Sequence, residues 1–359
     1  MTYSVSISID AMGGALAPNC VVEAISVAQK LYKDVKFNVF GDSGVLSNLF
    51  AKYCINPSSC EIIHTTSVIL DTDSPVRALR HLTDSSMRRA IESVKNGYAD
   101  ACISAGNTGV LFMMSRQILG TLKHIKRPVI SGVFPNKKGK CVFLDMGANI
   151  EFNANSMFQS AVMGASFAKA VLGIENPKIG ILNVGEEKGK GRSVESEVFD
   201  ILKSSGLDFV GFVEGNDIAA GIADVVVTDG FSGNLVLKAI EGTARMILDM
   251  VKDTFKSTLL ARLAAFLLRK QLRERFMQLD PNHNNGAMLI GINGIVVKSH
   301  GGANPSGFLN AIKVARSLAK DNVNSHIIEE LEILESRGIG LDMLDKIKHT
   351  SAKIFGFDK

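Results

Sequence analysis

Short β-branched runs alternate along the chain with longer stretches of helical periodicity. Val5 to Ile9 alternates apolar and small polar residues, Val21 to Tyr32 repeats apolar residues at helical spacing, and Val35 to Phe40 is strand-like again. This is the pattern of a βαβ opening. Further strands are expected at Ile62 to His64, Ala101 to Ile103, Val142 to Leu144, Ile179 to Leu182, Val225 to Val227 and Ile295 to Val297. The polar stretch Asp71 to Ser86 leads into a helix stopped by Asn96 and Gly97, and Phe158 to Leu172 forms a helix closed by Gly173, because glycine accepts the left-handed cap conformation. Short buried strands alternating with helices predict a three-layer α/β/α fold on a mostly parallel sheet. One large domain over residues 1–359 is expected.

Four of the apolar runs end in small, glycine-rich polar loops, at Ser104 to Gly109, Asp145 to Asn149, Asn183 to Gly191 and Thr228 to Asn234. In open α/β sheets ligands bind outside the carboxyl ends of the strands, so these loops are expected to share one crevice. Between Leu235 and Leu279 the pattern changes to a long helical stretch with no strand partner. Leu259, Leu260, Leu263, Phe266 and Leu267 form one apolar stripe there, surrounded by Lys252, Lys256, Arg262, Arg269, Lys270, Arg273 and Arg275. A basic amphipathic helix lies in a membrane interface, docks a partner, or packs as a plain hairpin. A helical hairpin inserted over residues 236–280 is expected. The segments after Asn304 are helical and close the main domain.

With 46 % hydrophobic and 21 % charged residues and 8 prolines, the 359-residue chain has the composition of a globular protein with a large core. A net charge of +4 without a basic stripe of interleaved aromatics argues against nucleic acid. The five cysteines, Cys20, Cys54, Cys60, Cys102 and Cys141, are scattered and never spaced as a metal or redox pair, which suits a reducing cytoplasm. The first ten residues lack the charged start and apolar core of a signal peptide. No apolar stretch approaches the roughly 20 residues needed to cross a bilayer, so membrane contact is expected to be peripheral.

Gly185, Glu186, Glu187, Lys188, Gly189, Lys190, Gly191 and Arg192 combine backbone freedom with three cations. Such a loop can bring N–H groups and ammonium groups to a phosphate, or it can be an ordinary solvated surface loop. It lacks the spacing of a P-loop or a dinucleotide fingerprint, so no nucleotide is indicated. Asp229, Ser232 and Asn234 can hold an anion or a polarised carbonyl, and helix capping explains them as well. Ser104, Asn107, Thr108, Asp145 and Asn149 face the same two readings. His300, in a loop after a strand, suits a supporting role as acid, base or donor. Neither a covalent nucleophile nor a metal-ligand cluster is legible, so no cofactor is expected.

Taken together, Asp10-Ala11-Met12-Gly13-Gly14, Asp84 to Met87, Ser104 to Gly109, Asp145 to Asn149, Asn183 to Gly191, Asp229 to Asn234 and Lys298-Ser299-His300-Gly301 resemble the PlsX-type phosphate acyltransferases, in order and over almost the whole chain. The resemblance implies a fold like that of the phosphotransacetylases and isopropylmalate dehydrogenases. It implies transfer of a fatty acyl group from acyl carrier protein to inorganic phosphate, supplying acyl phosphate to a membrane glycerol-3-phosphate acyltransferase in phospholipid synthesis. It also implies a cytoplasmic homodimer held at an anionic membrane surface through the helical protrusion. Carried over by position, Lys190 and Asn234 are the expected catalytic residues. Asp10, Gly13, Gly14, Ser104, Asn107, Thr108, Asp145, Asn149, Glu187, Asp229, Ser232 and His300 are expected to bind substrate. Where the family usually has Asp after Gly14, this chain has Ala15, so no role for that carboxylate carries over. A short-chain phosphotransacetylase using coenzyme A and a non-catalytic membrane scaffold remain as alternatives.

Overall fold

The computed structural model describes residues 4–272, 282 and 284–338. Its strands are β1 (Val5–Asp10), β2 (Val35–Gly41), β3 (Cys60–His64), β4 (Ala101–Ser104), β5 (Val129–Asn136), β6 (Gly139–Leu144), β7 (Ile179–Leu182), β8 (Phe209–Val213), β9 (Val225–Val227), β10 (Ala287–Ile290) and β11 (Ile295–Lys298). They form one sheet in the order β3-β2-β1-β4-β11-β10-β5-β6-β9-β7-β8. The helices are α1 (Asn19–Leu31), α2 (Ser43–Lys52), α3 (Pro75–His81), α4 (Ser86–Lys95), α5 (Thr108–Leu119), α6 (Ala154–Leu172), α7 (Ser193–Ser204), α8 (Gly215–Ala220), α9 (Gly230–Lys256), α10 (Leu259–Leu267), α11 (Pro305–Lys320) and α12 (Val323–Ser336).

All eight expected strands are present, and β5, β8 and β10 join them. The additional three are interrupted or plain as strand signals: β5 contains Gly132 and Pro135, the aromatic and β-branched β8 is broken by Gly211 at φ 103°, and β10 reads Ala-Met-Leu-Ile. Strand propensity sits with β-branched and aromatic residues and is lowered by glycine and proline. Packing against neighbours overrides it here.

The weakly signalled strands β5 and β10 control the direction of the sheet. Neighbours are parallel except at β11–β10, β10–β5 and β5–β6, which are antiparallel. Three reversals leave β6, β9, β7 and β8 running opposite to β1 to β4 and β11. The registers nevertheless draw one line across the sheet, through Ile9, Ile103, Val297, Met288, Ser131, Leu144, Val227 and Ile181. Strands β1, β4, β11, β6, β9 and β7 each end on that line or one residue past it. The carboxyl ends of two opposed half-sheets therefore meet at one row, and β5 continues past it on the side where β4 and β11 have stopped.

Side chains alternate across the strands. Ala101 and Ile103 join the core under α1, α6, α7, α11 and α12, while Cys102 joins a second core under α3, α4 and α5. On that second face β5 contributes Ile130 to the α3–α5 core and Phe134 to a third core formed with Phe143, Ile218 and the start of α9. Between them stands Gly132. The two cores are separated over β5, and a gap opens between α5 and α9.

Candidate active site

The gap is a cavity of ≈ 740 Å³. Thr108, Gly109, Phe112, Met113 and Arg116 of α5 form one wall, and Asn234, Leu237, Lys238, Ile240, Glu241 and Ala244 of α9 form the other. Those α9 positions share one helical face. Ile130 and Gly132 to Pro135 make the floor, and Met146 to Asn149, Asn285, Lys298 and His300 complete the lining. Along both helices the lining passes from polar at the first turn, with Thr108 and Asn234, to mainly apolar beyond, with Phe112, Met113, Leu237 and Ile240. The cavity thus joins a polar corner to an apolar wall.

The corner is built by buried carboxylates that gather backbone donors. Asp145 Oδ1 accepts N–H bonds from Ile130 at 3.1 Å, Gly147 at 3.2 Å and Ala148 at 3.0 Å, and Oδ2 accepts from Asn149 N–H at 2.8 Å and its Nδ2 at 3.0 Å. Burial pushes its pKa up, against these hydrogen bonds. The Asn149 amide also donates to Pro128 O at 2.8 Å. The first turn of α9 presses on this loop so closely that a Cβ at Gly233 would lie 1.9 Å from Asp145 O. Glycine is required there by approach rather than by torsion.

Asp10 plays the matching part for the other half-sheet. It accepts from Ser86 and Ser104 hydroxyls at 2.6 Å each and from Met12 N–H at 3.2 Å, and burial again raises its pKa. A Cβ at Gly13 would meet Asp10 Oδ2 at 2.5 Å, and Gly14 sits at φ 104° while Ala15 N–H donates to Gly301 O at 2.8 Å. Asn107 caps α5, accepting from Val110 N–H at 3.0 Å and donating to Asp71 O at 2.8 Å. Asp10, Gly13, Gly14, Ser104, Asn107 and Asp145 thus frame the corner, and Thr108, Asn149, Asn234 and His300 line it.

For Asp229 and Ser232 the capping reading holds. Asp229 caps α9 by accepting from Ser232 N–H at 2.8 Å and its hydroxyl at 2.9 Å, and it pairs with Arg192, which also grips Glu195. Burial alone would raise the Asp229 pKa, but the bonds from Ser232 and Arg192 outweigh it and leave the group below its usual value.

The loop after β7 stands apart from the expected shared crevice. Its chain wraps Asn183, whose amide donates to Gly185 O at 3.2 Å and Lys190 O at 3.0 Å. Lys190 and Glu187 form an ion pair at 2.7 Å with both side chains more than half exposed, and neither lines the cavity. Their mutual hydrogen bond raises the lysine pKa and lowers that of the glutamate. Of the four glycine-rich loops, those after β4, β6 and β9 meet at the cavity, joined by the loop after β11, whereas α7 begins directly after Arg192 and carries the β7 connection away.

His300 is exposed at the cavity mouth, and Gly302 N–H donates to its Nδ1 at 3.1 Å. The neutral ring therefore carries its proton on Nε2 as a donor. Burial lowers its pKa first, opposed by Glu241 and reinforced by Lys298, Lys238 and Arg245. Asn285 fixes this turn, accepting from His300 N–H at 2.8 Å and donating to Ser299 Oγ at 2.7 Å. Lys298 belongs to the motif ending at Gly301 without being expected as a site residue, and Asn285 and the apolar wall escaped the sequence reading. The apolar helical faces of α5 and α9 were a signal for the wall, indistinguishable from core-facing stripes without the sheet order. Among the described residues no group of three His, Cys, Asp or Glu side chains could hold a metal.

The expected apolar stripe lies on α10, none of whose residues is buried; Leu259, Leu260, Leu263, Phe266 and Leu267 are all exposed. Arg273 and Arg275 lie outside the described residues. Among the described residues no helix is long and apolar enough to cross a membrane.

Residues 5–326 match the family model described as fatty acid synthesis protein. Phosphate acyltransferases from Maricaulis maris and Rhodospirillum rubrum are 44 % and 43 % identical to the chain, each match covering 92 % of it and 96 % and 95 % of the relative. A phosphotransacetylase from Streptococcus pyogenes superposes with a TM-score of 0.61 over 88 % of this chain and 94 % of its own, at 19 % identity, a likeness of fold. With relatives this similar over nearly their whole length, the chain belongs to the PlsX-type phosphate acyltransferase family and is an acyltransferase.

Proposed function

We propose that the protein transfers a long fatty acyl group from acyl carrier protein to inorganic phosphate, making acyl phosphate for phosphatidic acid synthesis. The observation that carries this reading is the cavity's division into a polar corner and an apolar wall along α5 and α9. The wall suits an alkyl chain, since each buried CH₂ contributes about 0.8 kcal/mol. A short-chain coenzyme A donor would leave it unfilled.

In the proposed reaction an oxygen of hydrogen phosphate attacks the thioester carbon, and the tetrahedral intermediate collapses with loss of the carrier's phosphopantetheine sulfur, which takes up the phosphate proton. Asn234, at the first turn of α9, donates to the thioester oxygen as charge develops. His300 Nε2–H and the Thr108 hydroxyl are donors at the same corner, and Asn149 shapes it. Lys190 delivers and orients phosphate; its exposed ammonium can exchange Glu187 for the incoming anion. Gly189 and Gly191, at φ 105° and 88°, let the loop backbone approach that anion.

The α9–α10 hairpin supports a peripheral membrane role in a homodimer. Its apolar stripe is uncovered among the described residues, and Arg262 and Arg269 flank it with charge that suits anionic lipid or the acidic carrier. The deciding experiment incubates protein with palmitoyl-acyl carrier protein and phosphate, traps acyl phosphate with hydroxylamine, and runs palmitoyl-coenzyme A alongside. Phosphate-dependent product from the carrier substrate is expected. Product from coenzyme A alone would move the assignment to a phosphotransacetylase, and none from either would favour the scaffold.

A further inference from the structure

At the polar corner, where β11 ends, a lysine is only 9 % exposed and still lines the cavity. Lys298 Nζ donates to Ala105 O at 3.0 Å and to Ser299 O. An ammonium carries three protons, so among the described residues these two carbonyls leave one donor. Among the described residues the acids that act on it, Asp71 and Asp10, do so through space rather than by contact, and Asp10's oxygens are already held by Ser86 and Ser104. A buried charge without a contacting counter-ion is costly, and an anion in the adjoining space would offset that cost. The space also holds the donors His300 and Asn234.

We infer that Lys298 is a second phosphate-contacting cation, binding the anion inside the cavity with its free ammonium proton while its other two hold the ends of β4 and β11 together. This rests on the phosphate-dependent reading above but assigns the anion a buried seat beside the thioester corner, distinct from the exposed Lys190. Lys190 then serves capture and Lys298 retention. Burial also pulls the Lys298 pKa down, to about 8, so the seat loses its charge just above neutral pH. Asp71 from the loop before α3 and Asp10 from β1 act on it, Arg116 from α5 and Lys238 and Glu241 from α9 line the same cavity, and Arg245 from α9 acts on the neighbouring His300. His300, on its own loop, titrates below its usual value and is neutral throughout that range.

Sulfate is the probe, because it does not titrate near neutral pH and its binding needs no acyl donor, so failure of the acyl-transfer reading would show separately as absent turnover. Calorimetry on the whole protein should show sulfate binding at pH 7 that weakens about tenfold for each pH unit above about 8. Lys298→Gln, checked for unchanged unfolding temperature, should lose about tenfold or more of the affinity and all of that pH dependence. In turnover it should raise the KM for phosphate while leaving the KM for acyl carrier protein within about twofold. If Lys298→Gln does not fold, the wild-type pH profile decides alone. No sulfate binding, affinity that is flat between pH 7 and 9.5, or a folded Lys298→Gln that binds as the wild type does would each overturn the inference.

Discussion

The loops after β6 and β7 share a half-sheet and a composition, yet one is a buried frame and the other an exposed rim. After β6, Asp145 has no exposed surface and gathers four backbone N–H groups, so the loop has one shape and lines the cavity. After β7 the organiser is the neutral Asn183, and the charges of Glu187 and Lys190 face solvent in a pair of their own. Glycine-rich polar loops at strand ends are thus two different objects. A carboxylate that bonds its own loop makes a scaffold, whereas cations held away from the core remain free to meet a ligand.

The contrast breaks most sharply at Asp145. Asp145→Ala strips an acceptor from four N–H groups at about 1–3 kcal/mol each when unsatisfied, so urea denaturation should show a loss of about 3 kcal/mol or more, with activity falling alongside. Stability within about 0.5 kcal/mol of wild type would remove the frame from the account. At the rim the reverse is expected. Lys190→Ala should lower kcat/KM for phosphate by about 100-fold or more with no change in unfolding temperature, and equal activity would confine phosphate handling to the cavity. Asn234→Ala should cost about 100-fold in kcat with little change in the KM for phosphate; a pure KM effect would make Asn234 a ground-state binder.

Smaller effects sharpen the boundary between the two. Arg192 follows the rim and grips Asp229, whose pKa lies below its usual 3.8. A depressed carboxylate stabilises the fold above the unfolded-state pKa, and that contribution is lost as pH falls through the folded value. The wild type should therefore lose stability below about pH 4, and Arg192→Met should flatten that acid limb in pH-dependent thermal unfolding; an unchanged limb would place the acid sensitivity elsewhere. Replacing Leu263, Phe266 and Leu267 together by Gln should leave the unfolding temperature unchanged, as expected for surface sites, while reducing co-sedimentation with anionic vesicles. Full retention on vesicles would sink the membrane role of the hairpin.

Much of the fold was legible because a buried parallel strand must be short and β-branched, as at Val225 to Val227 and Ile295 to Val297. What escaped depended on partners far away in sequence. Gly132 and Pro135 hide β5, and with β10 it turns the second half-sheet over, so the loops meet across a row rather than along one edge. Asp145 and Asp10 were visible as site residues but not as frame, since nothing local reveals that their oxygens are filled. Lys298 stands in the Lys298-to-Gly301 motif without a role, since nothing local shows that Ala105 O, 193 residues earlier, holds it.

The middle of the sheet is made late. Strands β10 and β11, residues 287 to 298, lie between β4 and β5 and form the bridge between the two half-sheets. The pairings within β1 to β4 and within β6 to β9 are separated by at most about a hundred residues, whereas the strand pairing that joins the two half-sheets runs through β10 and β11. Contacts of such long range are the slow step of folding. Lys298 and His300 arrive with the bridge, so a chain ended before it has neither a continuous sheet nor that part of the cavity lining. The cavity lining is therefore completed only when the chain has passed residue 301, late in the order of synthesis.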